Sequence, residues 1–208
     1  MQLTSKSFGH QQRIPGEFAF GVPDAVEHLR LGPNRNPHLA WSGAPAGTRS
    51  FVLICVDTDV PTRPDDVNKP GRSVPASLPR ADFYHWVMVD IPATVAEIAA
   101  GACADGIVAR GKQAPAGPQG SRQGLNDYTL WFGGDAGMGG QYFGYDGPCP
   151  PWNDELLHHY HFVLYATDLA RCPVEGAFTG QQVRAAIAGH VLAEATLTGT
   201  YSLNPAVR

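Results

Sequence analysis

The sequence predicts a mainly β protein with one or two short helices. Three runs support this prediction: "SFVLICVD" from Ser50, "YHWVMVDI" from Tyr84 and "YHFVLYA" from Tyr160 are apolar, β-branched or aromatic, and of strand length. Glycine and proline, 24 and 18 of the 208 residues, separate these runs, as expected of strands joined by turns. A chain of this length is most often one domain, and we assign residues 1–208 to a single domain.

Weaker signals complete the elements. Residues 191–203, "VLAEATLTGTYSL", are rich in threonine and aliphatic side chains and suit a last strand that closes a sheet. Thr179 followed by Gln182 has the spacing of a capping box and predicts a helix of one or two turns. Thr94 followed by Glu97 gives a weaker copy of the same signal and predicts a second short helix.

Two long connections, residues 61–82 and 106–140, interrupt this pattern. The first is rich in proline and polar residues, and the second carries much of the glycine, including "GGDAGMGG". Loops of this length in a compact domain are usually functional, so both are candidates for pocket walls or lids. A tolerated insertion explains the first connection equally well.

Composition and charge exclude several classes of protein. Lysine and arginine total 15 against 19 acidic residues, a net charge of -4, which argues against nucleic-acid binding and against an electrostatic membrane anchor. No apolar run is long enough to span a bilayer, and the first residues lack the apolar core of a signal peptide. The four cysteines are scattered, without a C-x-x-C pair, and we expect reduced thiols and a cytoplasmic location.

The segment from Gly144 to Phe162, "GYDGPCPPWNDELLHHYHF", joins a proline-rich loop to a histidine-rich strand. A metal site is the first interpretation. Alternation along a strand places His159 and His161 on one face, and His158 and Tyr160 on the other. A metal needs three or four ligands and the spacing supplies no clear third, so we expect neither a metal nor another cofactor.

A cysteine nucleophile is the second interpretation. Cys149 has histidines nearby in the sequence. An activated thiolate usually lies at a helix N-terminus or against a positioned base, whereas Pro148 and Pro150 offer neither a helix start nor backbone donors for an oxyanion hole. The sequence also lacks a G-x-S-x-G elbow that would suggest a serine nucleophile.

A pocket for an anion is the third interpretation. Asp57 and Asp59 end the first core strand, on one face if that strand stays extended, and His85 opens the next. If these strand ends converge with the proline loop, they form an acid–histidine cluster beside rigid backbone, which would suit a phosphate or carboxylate. The structural alternative is that the two aspartates only begin a turn.

These residues carry a family resemblance. "DTDVP", "HWV", "GYDGPCPP", "HHYHF" and the closing "LAEATLTGTYSL" resemble, in order and spacing, the phosphatidylethanolamine-binding protein family, most closely its bacterial Raf-kinase-inhibitor-like branch. The resemblance covers residues 36–203 and implies a β-sandwich, with a large antiparallel sheet packed on a smaller one and a few short peripheral helices. Four motifs in order are fairly specific, although any one of them is weak.

The resemblance also implies the site residues. Four would line an anion pocket: Asp57, His85, His158 and Tyr160. Three would supply its loop wall: Gly147, Cys149 and Pro151. Two would shape its rim: Asp59 and Pro61.

Three features depart from the family pattern. His159 stands where the family often has arginine, which weakens the positive charge at the rim. Cys149 stands where a small residue such as glycine or alanine is usual. The long connections, including residues 126–143 just before the proline loop, exceed those of compact bacterial members and could roof the pocket.

From these observations we expect a non-catalytic module that binds a small ligand bearing phosphate or carboxylate, such as a phospholipid headgroup. Members of the family are associated with phospholipid headgroups and with inhibition of kinases or proteases, so a protein partner of that kind is implied as well. Two rival hypotheses are a hydrolase that uses the acid–histidine cluster and an interaction adaptor with a vestigial pocket. The bacterial branch also implies a homodimer.

Two geometric predictions can be compared with the structure. We expect Asp57 to accept a hydrogen bond from His85, beside Tyr160 and His158, with the Gly147–Pro151 loop facing them. If the pocket stays open to water, the carboxylate should then raise the pKa of His85 more than burial lowers it. We also expect the Val60–Pro61 bond to be cis, because the resemblance places a tight turn there.

Overall fold

The computed structural model describes residues 1–207, and β-strands dominate it. These residues contain eleven strands: β1 Gln2–Thr4, β2 Gln12–Arg13, β3 Gly21–Asp24, β4 His28–Leu31, β5 Leu39–Ser42, β6 Ser50–Pro61, β7 Arg80–Pro92, β8 Glu97–Ile98, β9 Arg122–Gln123, β10 His158–Thr167 and β11 Val191–Tyr201. They also contain two short helices, α1 Tyr128–Trp131 and α2 Gly180–Ala186, and two 3-10 turns, Gly16–Phe18 and Pro118–Gly120.

The strands form one large sheet and two small ones. The large sheet has six strands in the order β2-β11-β10-β6-β7-β9, antiparallel except where β11 meets β2. A three-stranded sheet has the order β1-β5-β8, and β3 and β4 form a separate hairpin. The mainly β prediction is confirmed, and all four predicted long strands are present.

The middle strands of the large sheet, β6 and β7, are buried on both faces along most of their apolar stretches. On one face the large sheet packs against the three-stranded sheet, where the Trp41 ring lies edge-on to Phe51 with 5.6 Å between ring centroids. On the other face, α2 and the segment before it cover Val52 and Ile54. A strand covered on both faces needs apolar side chains on both, which explains the unbroken apolar run in β6.

One predicted helix is present and the other is wrong. Thr179 and Gln182 form the expected capping box at the start of α2. Thr94 and Glu97 start no helix, because Glu97 and Ile98 form β8 and pair with β5. A two-residue propensity signal is weak, and cross-strand pairing overrides it here.

The predicted cis bond is also wrong, because residues 1–207 contain no cis peptide bond. Strand β6 continues through Pro61, with Val60 opposite Ala81 and Pro61 opposite Arg80. An irregularity in the strand pairing between Asp57 and Val60 supplies the local change of direction. Proline is tolerated there because it ends its strand.

The connection between β6 and β7 is fixed against the proline loop by one side chain. The Asn153 amide donates to the carbonyls of Asp66 and Arg72 at 2.8 and 3.1 Å, and its oxygen accepts from the Asn68 amide at 2.9 Å. This loop therefore has a definite place beside the predicted site. No helix in residues 1–207 is long and apolar enough to cross a membrane.

Candidate ligand-binding site

A cavity of about 240 Å³ lies where the ends of β6, β7 and β10 meet the proline loop. Seven of the nine predicted site residues line it: Asp57, Pro61, His85, Cys149, Pro151, His158 and Tyr160. Asp59 and Gly147 do not. The residues that the family resemblance implied are thus largely brought together around one cavity.

The rest of the wall is mainly apolar, and only its part from the two long connections was anticipated from the sequence. It comes from the residue before β3, from β4, from β7 and from α1 with the residue after it, and includes Phe20, Leu29, Leu31, Phe83, Tyr128, Trp131 and Phe132. Val67 and Asn68 contribute from the connection between β6 and β7. Both long connections therefore supply pocket wall, and the cavity combines a polar floor with an aromatic rim.

Strand alternation sorts the histidines as predicted. His158 and Tyr160 face the cavity and are fully buried. His159 and His161 face away: the Nδ1 atom of His159 lies 2.9 Å from the Asp59 carboxylate, and that of His161 lies 3.0 Å from the Thr198 hydroxyl.

Asp57 and Asp59 have different roles, although they lie two residues apart. The Asp57 carboxylate is buried in the cavity floor and accepts a hydrogen bond from the Asp59 amide at 2.8 Å. The Asp59 carboxylate instead holds His159 on the outer side, accepting from its amide as well as its ring. The bulge after Asp57 turns the second carboxylate away from the cavity.

His158, not His85, donates to Asp57, so that part of the prediction is wrong. The His158 Nδ1 atom lies 2.7 Å from Asp57, and its Nε2 atom lies 3.2 Å from Asp154. Ionised carboxylates only accept, so both ring nitrogens carry protons and His158 is an imidazolium. Burial opposes this charge, but the two carboxylates outweigh burial and raise the pKa of His158 to about 9.

Arg80 completes a buried chain of alternating charges. Its guanidinium donates to both oxygens of Asp154, at 2.6 and 3.1 Å, and also to the carbonyls of Asp59 and Pro75. Asp154 is 1% exposed, so this bidentate pair lies largely out of water. Arg80, Asp154, His158 and Asp57 carry two positive and two negative charges and sum to zero.

His85 is neutral and its tautomer is fixed. Its Nδ1 atom lies 2.8 Å from the carbonyl oxygen of Asp146, which can only accept, so Nδ1 carries the proton and Nε2 has a free lone pair. Aromatic rings enclose the imidazole, with centroids at 4.9 Å for Phe83, 5.1 Å for Tyr160 and 5.5 Å for Tyr128.

This enclosure reverses the expected pKa shift. Burial lowers the pKa of His85 more than Asp57 raises it, so the ring is uncharged near neutral pH. The carboxylate was expected to prevail in a pocket open to water, whereas the His85 ring is only 3% exposed and burial therefore has the larger effect on its pKa.

Asp146 holds His85 in place from behind, and sequence reasoning missed it. Its carboxylate is buried and accepts from Asn34 at 2.7 Å and from Asn126 and Lys112 at 2.8 Å each. Its backbone amide donates to the His85 carbonyl, while its carbonyl accepts from the ring. The signal was present as the aspartate before the glycine and proline of "YDGP", but its partners are distant in the sequence.

The Tyr160 hydroxyl is buried and makes no hydrogen bond of normal length and angle with the described residues, although the Asp57 carboxylate lies close enough to interact with it. Burial and the nearby Asp57 carboxylate both raise the pKa of Tyr160 well above its ordinary range, so the hydroxyl keeps its proton. A buried, unpartnered donor is costly and uncommon in a folded protein. In a cavity wall, it marks a position where a ligand would supply an acceptor.

Gly147 positions the loop from outside the cavity. Its amide donates to Asn34 at 2.8 Å and its carbonyl accepts from Tyr128 at 2.8 Å. A Cβ atom at this position would collide with the Phe18 carbonyl, so only glycine allows this close approach.

Cys149 is a wall residue without nucleophilic character. Its neighbours Pro148 and Pro150 lack N–H groups, and burial raises the pKa of its thiol to about 12. A thiol of this kind is protonated near neutral pH and is a poor nucleophile. The Cys149 amide donates to no described residue, which leaves it as the loop's available backbone donor.

Residues 1–207 contain no group of three or more His, Cys, Asp or Glu side chains arranged to hold a metal ion. The cavity floor offers other chemistry. Among the lining side chains, Asp57 and the Nε2 atom of His85 are acceptors, whereas the Tyr160 hydroxyl is a donor. This mixed set can orient a small polar group within an apolar surround.

Comparison with known proteins identifies the family of this chain. The model of the family described as phosphatidylethanolamine-binding protein matches residues 4–202. The chain belongs to this family. Among similar proteins, the UPF0098 protein YbhB of Escherichia coli is 33% identical over 171 residues, 82% of this chain and 84% of YbhB. A UPF0098 protein of Methanothermobacter thermautotrophicus is 30% identical, covering 97% of this chain and 98% of its own length.

Solved structures support the same fold. The crystal structure of Escherichia coli YbcL, described as a member of the mammalian PEBP family, matches with a TM-score of 0.67 and 27% identity, covering 97% of both chains. The Chlamydia trachomatis homologue CT736 matches with a TM-score of 0.62 and 27% identity, covering 97% of this chain and 96% of its own. The β-sandwich expected from the sequence is therefore the phosphatidylethanolamine-binding protein fold.

Proposed function

We propose that this member of the family is a non-catalytic protein whose cavity binds the phosphate or carboxylate group of a small ligand, such as a phospholipid headgroup. The observation that carries the proposal is the unpartnered Tyr160 hydroxyl, buried in a cavity wall next to Asp57 and His85. An oxyanion oxygen would satisfy this donor and that of the Cys149 amide.

The size of the cavity supports a headgroup in preference to a whole lipid. Its volume of about 240 Å³ is below the ~300 Å³ at which pockets for drug-sized ligands begin. The aromatic rim, including Trp131 at 50% exposure, would contact the apolar part of a ligand that extends outward.

A hydrolase fits this geometry less well. General-base catalysis needs a nucleophile within hydrogen-bond reach of a free base. His158 is protonated and held by two carboxylates, and the thiol of Cys149 is also protonated. His85 has a free nitrogen, but no serine, threonine or reactive thiol lines the cavity among the described residues.

Calorimetric titration with phosphoethanolamine tests the proposal. We expect binding by the wild type, weaker binding by His85→Ala and Tyr160→Phe, and unchanged binding by His161→Ala, whose side chain faces away from the cavity. Equal loss in all three variants, or no binding by the wild type at millimolar ligand, would contradict the proposal.

An adaptor with a vestigial pocket gives the opposite result, because its protein partner would still bind the His85→Ala variant. Binding of a kinase or protease, a homodimer and a cytoplasmic location also stay predictions. Light scattering that reports a monomer at micromolar concentration would exclude the homodimer.

A further inference from the structure

The cations next to the cavity floor, His158, Arg80 and Lys112, already have partners. Both N–H groups of His158 are donated to carboxylates. Arg80 donates to Asp154 and to two carbonyls, and Lys112 donates to Asp146 and to the Tyr145 carbonyl. Among the described residues that line the cavity, none is lysine or arginine. A ligand anion would therefore meet no free positive charge.

The cavity instead presents two strong acceptors. The Asp57 carboxylate lies in the floor, and the Nε2 atom of His85 is free because Nδ1 holds the proton. A fully deprotonated oxyanion placed against these atoms would bring its own lone pairs against those of Asp57 and His85, with no proton between them to form a hydrogen bond. Leaving buried polar atoms without a partner costs enough to determine which ligands bind.

We propose that the cavity selects oxyanions that bring or take up a proton, such as phosphate monoesters and carboxylic acids, and rejects anions without a titratable proton, such as sulfate esters. This inference rests on the proposed function, since it specifies the class of ligand for the same cavity. It adds a rule of selection that depends on the acceptors of Asp57 and His85.

The proton can be followed atom by atom. A phosphate monoester in its dianionic form binds together with one proton, which lies on the line between a phosphate oxygen and His85 Nε2. Whichever of the two atoms holds it, the hydrogen bond is made and the complex contains one proton more than its separate components. A monoanionic phosphate already carries that proton, so it binds without uptake.

The surroundings of His85 decide the sign of the pH dependence. The titratable and charged groups that face the ring come from four directions: Asp57 in β6, His158 and Tyr160 in β10, Tyr128 in α1, and Asp146 with its partner Lys112 behind the loop. Asp57 is paired with His158, and Asp146 with Lys112, so the net charge near the ring is close to zero. An arriving anion would add a negative charge and favour protonation at Nε2.

Binding should therefore weaken as pH rises. Phosphate monoesters lose their second proton at roughly pH 6. Above that pH the proton must come from solution, so affinity falls with each further pH unit until uptake is no longer possible.

A matched pair of probes tests this directly. O-phosphoethanolamine and ethanolamine O-sulfate share one skeleton, but only the phosphate has a proton that titrates near neutral pH. Calorimetry at pH 7.5, in two buffers of different ionisation enthalpy, measures the protons taken up per ligand. We expect uptake of about one proton for each phosphoethanolamine bound. The sulfate should bind at least roughly tenfold more weakly than phosphoethanolamine.

Two variants complete the test. His85→Gln replaces the acceptor with an amide that can donate without a solution proton, so proton uptake should fall towards zero and the preference over sulfate should shrink. His161→Gln makes the same chemical change on the opposite face of the sheet and should match the wild type. Thermal melting checks that both variants fold. If His85→Gln does not fold, the comparison of phosphoethanolamine with ethanolamine O-sulfate on the wild-type protein still tests the inference.

The outcomes separate this inference from the proposed function. Equal affinity for both probes without proton uptake would overturn the inference and leave anion binding intact. No binding of either probe would overturn both. Proton uptake with a preference for phosphate that disappears in His85→Gln would support both.

Discussion

The Tyr160→Phe substitution should make the protein more stable and the pocket less effective. The substitution removes one oxygen atom and keeps the ring, which packs in the core at 0% exposure. The hydroxyl makes no hydrogen bond of normal length and angle within residues 1–207, so folding removes it from water without full compensation. Its removal should therefore relieve a cost in the free protein.

The size of both effects can be estimated. A buried, unsatisfied polar group costs about 1–3 kcal/mol, and access of water to the cavity reduces this, so we expect a gain of about 1 kcal/mol in the free energy of unfolding. For a domain of this size, such a gain raises Tm by about 2–4 °C. A lost hydrogen bond to a charged ligand is worth about 1.5–3 kcal/mol, which corresponds to roughly ten- to hundredfold weaker binding.

Two measurements on the same preparation check this prediction. Urea denaturation gives the change in the free energy of unfolding, and calorimetry with phosphoethanolamine gives the change in Kd. Tyr165→Phe is a matched control, since Tyr165 lies on the same strand but on its opposite face, away from the cavity. A destabilised Tyr160→Phe variant would show that the hydroxyl has a partner in the free protein, and the reasoning would be refuted.

Three further predictions follow from the buried charges and thiols. Arg80→Ala leaves the buried carboxylates of Asp154 and Asp57 with only the His158 imidazolium, and this uncompensated negative charge should lower the free energy of unfolding by about 3–5 kcal/mol in urea denaturation. Arg171→Ala, which breaks an exposed pair with Glu175, should change it little. Folding raises the pKa of His158 from 6.5 to about 9, so the stability that its charge contributes is complete below pH 6.5 and is lost as pH rises through 9. Tm should therefore fall between pH 6.5 and 9. An unchanged Tm would contradict the assignment of His158 as an imidazolium. Burial raises the pKa of the Cys149 thiol to about 12, so at pH 8 Ellman's reagent should modify it much more slowly in the native protein than in urea. Rapid modification of the native protein would support Cys149 as a nucleophile.

The sequence was sufficient where the regular alternation of side chains along a strand determines which face each residue occupies. The two-residue period of a strand sorted His158 and Tyr160 from His159 and His161, and the structure has this arrangement. Strands β6 and β7 were predicted because an unbroken apolar run is typical of a strand that is covered on both faces. The order of the motifs indicated which strand ends would meet.

The sequence was insufficient where the partner of a side chain depends on distant packing. Either His85 or His158 could have donated to Asp57. His158 does so, because Asp154 holds its second ring nitrogen. The pKa of His85 depends on rings from α1 and β10, whose approach no local pattern predicts. The bulge that turns Asp59 outward is likewise a property of strand pairing and not of composition.

The neutral chain formed by Arg80, Asp154, His158 and Asp57 has a consequence for how such sequences diverge. Each member is held by its neighbours in the chain, and the four positions lie in three separate parts of the sequence. A change at one position leaves an unpaired charge in the interior, so tolerated changes should occur in pairs. We expect relatives that lack an arginine at the position of Arg80 to lack the carboxylate at the position of Asp154 as well.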